Sequence, residues 1–410
     1  MDRTALPFFR DTWVEVDLDA ISSNVSSLAR FYSGQGRDVA IMAVVKANGY
    51  GHGAIAVAKE ALAAGATFLG VALLDEALEL RKAGIQAPIL VLGKTRPENA
   101  ELARSEGISV TVFEQEWLEE ATRFLAKTLN DPLRIHVKMD TGMGRLGQQT
   151  VEKTIAVVCA AQKIGVVEGL FTHFATADEL DHAYYRKQQE RFAACVDKLE
   201  EAKVSIPFIH TGNSAASMRY PGDMYNMVRF GISMYGLTPS LEIKQALPFK
   251  LVPALSLKTK TVFTKLIQKG DAVSYGATYQ AEAPTWIATL PIGYADGWAR
   301  QNSTKGGYAL VNGQKARFAG RICMDQCMIE LPEPVPNGTT VTLVGKDAQE
   351  QIELDDVAKR LDTINYEAAC MLNPRLPRVY VKNGKYQSVQ IESRVMHKIE
   401  EQGKNDQQNG

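Results

Sequence analysis

Between positions 40 and 236, short apolar runs alternate with longer stretches whose apolar residues recur at helical spacing. The runs fall at 40–45, 67–72, 88–92, 108–112, 133–138, 166–171, 207–210 and 226–230. The helical stretches between them include 54–64, 74–83, 115–128, 150–164 and 182–202. Strand-length apolar runs separated by helices predict parallel strands with helical crossovers. Eight such units within roughly 200 residues fit a closed (β/α)8 barrel better than an open sheet, and a barrel carries its chemistry at the C-terminal ends of its strands.

After Gly236 the period shortens. The stretch 251–263 alternates apolar and polar positions, and 286–292, 308–311, 317–322, 340–344 and 379–381 read as further short strands, with one helical stretch at 354–361. Asn312-Gly313 and Asn383-Gly384 are two-residue hairpin turns. The expected fold class is α/β: an N-terminal (β/α)8 barrel over 12–244, a mostly antiparallel β-domain over 245–395 and a disordered polar tail over 396–410. A lone strand at 12–18 precedes the barrel and is free to pair with the second domain.

Composition narrows the function classes. The 410 residues suffice for two domains, and 45% hydrophobic content is that of a globular protein. A net charge of −1 gives no electrostatic reason to expect nucleic acid or an anionic membrane as partner. Five scattered cysteines argue against a disulfide framework and for a reducing compartment. Neither they nor the six histidines show metal-ligand spacing, so no metal is expected. The start of the chain has no signal-peptide core, and no apolar run approaches the ~20 residues a bilayer requires. A soluble cytoplasmic protein is expected.

The predicted strand ends are chemically unusual. The first ends at Lys46, followed by Gly49, Gly51 and Gly53. A strand-end lysine reaching solvent, with glycines supplying a turn, accounts for this stretch as well as a Schiff-base lysine does. A dinucleotide fingerprint does not, because the sixth position of the glycine pattern is Ala54. The later strand ends carry Lys138 to Arg145, His173, His210 to Ser214, and Arg229 with Gly231. Cations, imidazoles and hydroxyl-plus-glycine at five strand ends point to an anionic ligand at the barrel mouth. Barrels commonly hold phosphate at the last two strand ends, where Ser214 and Gly231 lie.

These residues stand in a set of motifs: VVKANGYGHG at 44–53, KMDTGMGRLG at 138–147, THFATADE at 172–179, HTGNSAA at 210–216, VRFGISMYG at 228–236, VSYGATY at 273–279, LPIGYADG at 290–297, GRICMDQ at 320–326 and INYEAAC at 364–370. With them the chain resembles the alanine racemase family from about position 13 to 394. The resemblance implies pyridoxal 5'-phosphate as cofactor, alanine as substrate, and a homodimer with shared sites that supplies D-alanine for peptidoglycan. Lys46 would carry the cofactor as a Schiff base. Tyr50, Ser214, Tyr366 and the backbone at Gly231 and Ile232 would hold its phosphate. Arg229 would face the pyridine nitrogen, Arg145 the phenolic oxygen, and His173 would lie behind the ring. Leu92 and Asn213 would be near the cofactor. Tyr275 would enter from the partner subunit as the second catalytic residue, with Tyr294, Met324 and Asp325 lining the substrate pocket from that side. Asp178 and Arg300 would belong to the entryway or to surface ion pairs. Lys138 matches a lysine often carbamylated in the family. A broader-specificity racemase acting on serine or other amino acids, a non-catalytic carrier of the same cofactor and a decarboxylase of the same barrel class are the alternatives.

Overall fold

The computed structural model describes residues 8–126 and 131–391 in full and the backbone of 394–397. It divides into two units. One is Ala20–Ala254; the other joins the chain up to Asp19 with the chain from Leu255 onward.

In the first unit, eight parallel strands close into a barrel: Ala40–Val44, Phe68–Val71, Ile89–Lys94, Ile108–Val112, Leu133–Lys138, Gly165–Phe171, Phe208–His210 and Met227–Phe230. All eight apolar runs are strands. The barrel closes where Ala40 to Ala43 pair with Met227 to Phe230. One interior layer is apolar: Met42, Phe68, Leu90 and Met227 are almost fully buried and pack with Ala40, Leu92 and Phe208. Each such side chain contributes about 1.5–3 kcal/mol. A second group inside the barrel is polar and belongs to the site described below.

Two helical expectations change. The stretch 115–128 is helical only over Gln115–Ala121, where Trp117, Leu118 and Ala121 are buried; of the remainder, 127–130 lie outside the described residues. The helix Leu18–Ser33 was not anticipated, although Ile21, Val25, Leu28 and Tyr32 form its buried stripe. Its several serines are weak helix formers, so propensity conceals it and packing produces it.

In the second unit, a nine-stranded sheet runs in the order Gln314–Arg317, Tyr308–Val311, Thr340–Asp347, Leu255–Lys260, Thr12–Asp17, Arg378–Lys382, Lys385–Ile391 and Arg394–His397, with Glu350–Ile352 paired to Thr340–Asp347. The strand Thr12–Asp17 lies inside it, antiparallel to Leu255–Lys260 and parallel to Arg378–Lys382. Both Asn-Gly pairs are hairpin turns, with φ of 52° and 78° at Asn312-Gly313 and 52° and 69° at Asn383-Gly384. The expected strand at 317–322 is displaced. Pairing begins at Gln314 directly after the turn and ends at Arg317; Phe318 makes a single bridge to Ile329, and the chain turns at Gly320 with φ of 72°. A smaller sheet joins Phe263–Ile267, Thr285–Leu290 and Cys327–Leu331. Of the expected tail, 396 and 397 close the last strand, and 398–410 lie outside the described residues. No helix among the described residues is long and apolar enough to cross a membrane.

Candidate active site

Lys46 leaves the first barrel strand into a left-handed turn. Ala47, Asn48, Gly49 and Tyr50 have φ of 53°, 51°, 61° and 51°. For L-residues this conformation costs about 1–2 kcal/mol each, and a consecutive run is rare. Neighbouring groups hold it. The Glu76 carboxylate accepts from the N–H groups of Ala47 (2.6 Å), Ala72 (2.7 Å) and Leu73 (3.2 Å), and Asn48 Oδ1 accepts from Ala54 N–H at 3.0 Å. The Tyr235 hydroxyl donates to Val44 O at 3.0 Å, and its ring packs on Tyr50 with centroids 5.0 Å apart. Ala47 is exposed, so its cost is mainly backbone strain. Ala47→Gly is expected to raise unfolding free energy by about 0.5–1 kcal/mol in denaturant titration, and Ala47→Val to lower it. A glycine variant less stable than the parent would contradict the strain.

Opposite this turn, Ser214 Oγ accepts from Gly231 N–H at 3.0 Å and from Ser233 N–H at 3.4 Å. The N-cap of the helix Ser214–Arg219 is Asn213, whose Oδ1 accepts from Ala216 N–H at 3.0 Å. Ser214 is thereby spared a capping role. A Cβ at Gly231 would lie 2.8 Å from the Tyr50 hydroxyl, so glycine keeps the space between Tyr50, Ser214 and the start of the turn Ile232–Tyr235. Leu92 packs on the apolar layer below.

Arg229 is buried on the last strand. Its Nη1 donates to the Nδ1 and O of His210, both at 2.9 Å, and its Nη2 to Thr172 O at 2.8 Å and Thr211 O at 3.0 Å, with His173 Nδ1 3.2 Å away. The array continues inward. His210 Nε2 meets His136 Nδ1 at 2.9 Å, His136 Nε2 meets Glu168 Oε2 at 3.3 Å, and Ser109 donates to the same oxygen at 2.6 Å. A carboxylate at one end and a guanidinium at the other assign every proton in a neutral array: Arg229 donates to His210, His210 to His136 and His136 to Glu168. Burial first, and then the Arg229 charge, keep His210 neutral well below its ordinary range. Burial acts to raise the Glu168 carboxyl, and hydrogen bonds from His136 and Ser109 outweigh it.

The mouth is rich in positive charge. His173 is held neutral by burial and by Arg229, Arg145, Lys138 and Lys46 together. Burial and Arg145 bring Arg229 down to about 9, which leaves it cationic at neutral pH. Burial, then Arg145 and Arg229, bring Lys138 down to about 8, with Asp140 opposing them. Asp140 is otherwise engaged with its own loop, accepting from Gly142 and Gly144 N–H at 3.0 Å each. Four cations acting on one neutral imidazole suit an anionic ligand. Among the described residues no group of three or more His, Cys, Asp or Glu side chains is placed to hold a metal.

Most of the remaining predicted residues lie in the second unit. Tyr275, Tyr294 and Met324 are exposed, at 68%, 45% and 53%. Tyr294 N–H donates to Cys323 O and Ala295 N–H to Met324 O, which ties the two stretches together. The Asp325 carboxylate is paired with Arg375 at 2.5 Å, and Arg375 also holds the buried Asp296 at 2.6 Å. Tyr366 is half-buried on the helix Asn365–Cys370. Tyr275 is not a strand residue: the strand Ala272–Val273 stops two positions earlier. Asp178 lies in the barrel unit, its carboxyl raised by burial, and Arg300 in the other.

Sequence reasoning passed over Glu76, His136, Glu168 and Tyr235. Only Glu76 carries a local signal, as an acidic residue at the third position of the helix Leu74–Lys82, where it reaches back to the preceding backbone.

Two family models match the sequence, "Alanine racemase, N-terminal domain" over 16–239 and "Alanine racemase, C-terminal domain" over 254–380. The chain is 52% identical over 384 residues to the alanine racemase of Halalkalibacterium halodurans, covering 93% of this chain and 98% of that one. It is also 52% identical to that of Geobacillus stearothermophilus, covering 93% and 96%. Among solved structures, the alanine racemase from Bacillus anthracis with bound L-Ala-P superposes with a TM-score of 0.89 at 47% identity, covering 93% and 98%.

Proposed function

The chain belongs to the alanine racemase family, and from that premise we propose how its residues interconvert L- and D-alanine. The family is pyridoxal-phosphate-dependent. The observation that supports the residue assignment is the cradle at Tyr50, Ser214 and Gly231 that a single Cβ would fill, with Arg229 3.2 Å from His173 and the charges of Lys46, Lys138 and Arg145 also acting on that imidazole.

Pyridoxal phosphate, bound through Lys46, supplies the electron sink that makes the Cα–H of an amino acid acidic. Tyr50, Ser214 and the backbone of Gly231 and Ile232 would hold its phosphate, with Tyr366 assigned to the same group by the family resemblance. Leu92 and Asn213 support the wall. With both terminal nitrogens of Arg229 engaged, its Nε would be the donor left for the pyridine nitrogen. Guanidinium does not surrender its proton at working pH, so a ring nitrogen held there would have to accept. Arg145 would bind the phenolic oxygen, and His173, hydrogen-bonded to Arg229, would support the same site. The Lys46 amine handles the Cα proton on the face used for D-alanine, and the Tyr275 phenol does so on the opposite face, for L-alanine. Tyr275 comes from a second copy of the chain, together with Tyr294, Met324 and Asp325, so the working form is a homodimer. Met324 and the tyrosines would leave room for a methyl side chain and little more. Lys138, a buried amine among cations, is carbamylated; the resulting anion orients Arg145. Carbamylation is testable by ¹³C NMR after exposure to labelled bicarbonate. The protein acts in the cytoplasm and its product feeds peptidoglycan synthesis.

The direct test is the cofactor-loaded protein with L-alanine in D2O. Loss of optical rotation with deuterium at Cα is the expected result, and arginine or lysine should react far more slowly. Comparable efficiency on those two would indicate a broad-specificity racemase. A lysine-bound chromophore without any exchange on alanine would indicate a carrier.

A further inference from the structure

The loop that presents Tyr275 is built on a conformation its sequence does not favour. The strands Ala272–Val273 and Tyr279–Gln280 pair Val273 with Tyr279, which leaves 274–278 to close the hairpin. Three of those residues have positive φ: Ser274 at 68°, Gly276 at 75° and Ala277 at 46°. Ser274 combines its φ with ψ of −179°. That region is essentially reserved for glycine, and a side chain persists there only where its surroundings over-determine it.

The surroundings can be named. Ser274 Oγ donates to Arg321 O at 2.6 Å and lies 3.5 Å from Cys323 Sγ. Gly320 makes room, since a Cβ there would come within 2.8 Å of Ser274 Cβ and 2.5 Å of Val273 O. The residue before the loop is anchored, because Val273 belongs to a core cluster with Ile267, Ala281, Ile287 and Ala319. The same 321–324 stretch accepts the backbone N–H groups of Tyr294 and Ala295. One short segment therefore sets both the Tyr275 loop and the Tyr294 turn.

We propose that Ser274 is a positioning residue for Tyr275, its hydroxyl bond to Arg321 O locking the strained peptide from which the phenol is presented. This rests on the reading of Tyr275 as the second proton-transfer group. A glycine at 274 would adopt the same angles without strain, but it would also adopt many others. Serine excludes those alternatives through its hydroxyl. Since the reacting geometry of a proton-transfer group is sensitive to displacements near an ångström, loosening the loop lowers the rate of the step that Tyr275 performs and spares the step that Lys46 performs.

The experiment compares the full-length parent with Ser274→Ala, Ser274→Gly and Tyr275→Phe. In the cofactor-free protein, 3-fluorotyrosine placed at 275 should give a ¹⁹F resonance that shifts and broadens in both Ser274 variants. In the loaded protein, kcat should fall about ten- to a hundredfold with KM changed less than about threefold. The primary isotope effect with Cα-deuterated L-alanine should rise while that with the deuterated D-isomer falls. Ser274→Gly keeps the backbone accessible without strain, so it guards against a mere folding defect in Ser274→Ala. Superimposable ¹⁹F spectra and unchanged isotope effects in both Ser274 variants, with Tyr275→Phe inactive, would overturn the proposal alone. A Tyr275→Phe variant that still racemises alanine would overturn the reading beneath it.

Discussion

Mixing two inactive variants should restore activity. Tyr275→Phe removes the only titratable atom of the phenol and is expected to lower kcat by about 10²–10⁴-fold, the ordinary range for a general acid–base group. Lys46→Ala removes both the attachment point and the other proton carrier, and should abolish turnover. If Tyr275 works in the site of a second copy, a mixed dimer of the two variants contains one site with both groups intact. After equal mixing with free exchange, about a quarter of parental activity should return, because half of the dimers are mixed and one of two sites works in each. A mixture that stays inactive despite proven exchange would mean that Lys46 and Tyr275 serve within one chain. Parental Tyr275→Phe kinetics would remove the phenol from the mechanism altogether.

The second large effect is on stability. Lys138 is only 4% exposed and its ammonium pKa is lowered from 10.5 to about 8. A lysine whose pKa falls on folding makes the folded state bear a charged group it disfavours. That penalty is complete below about 8, shrinks as pH rises towards 10.5 and is absent above it. Its size is on the order of 3 kcal/mol. In protein freed of carbon dioxide, Lys138→Met keeps the packing volume and removes the charge, so it should be more stable than the parent by about that amount at pH 7. The gap should close as both are unfolded at increasing pH. Equal stability at pH 7, or a gap that does not narrow, would show that the amine is compensated in the fold.

The barrel was legible because its strands are buried on both faces and read as plain apolar runs, from 40–45 through to 226–230. The hairpins at Asn312-Gly313 and Asn383-Gly384 were legible because that turn needs two residues with positive φ. What escaped notice depends on contacts between distant residues. The helix Leu18–Ser33 owes its existence to a buried stripe that its serines obscure. The stretch 317–322 resembled a strand, yet Gly320 is needed to accommodate Ser274, a constraint invisible from either position alone. Ser109, His136, Glu168 and His210 share no motif; only the closing of the barrel brings them into one hydrogen-bonded line. At the mouth, motifs carried Lys46, Arg145, His173, Ser214 and Arg229, whereas nothing local marked Asn213 rather than Ser214 as the helix cap.

The strand Thr12–Asp17 sits between Leu255–Lys260 and Arg378–Lys382. On the ribosome it is made before the barrel, and both of its neighbours emerge only after the whole barrel has been translated. The barrel can therefore form as a unit during synthesis, while this strand waits with unpaired edges for partners made after the barrel. Chaperone demand should concentrate on that interval, and substitutions that weaken the pairing of Thr12–Asp17 with either neighbour should slow the late insertion.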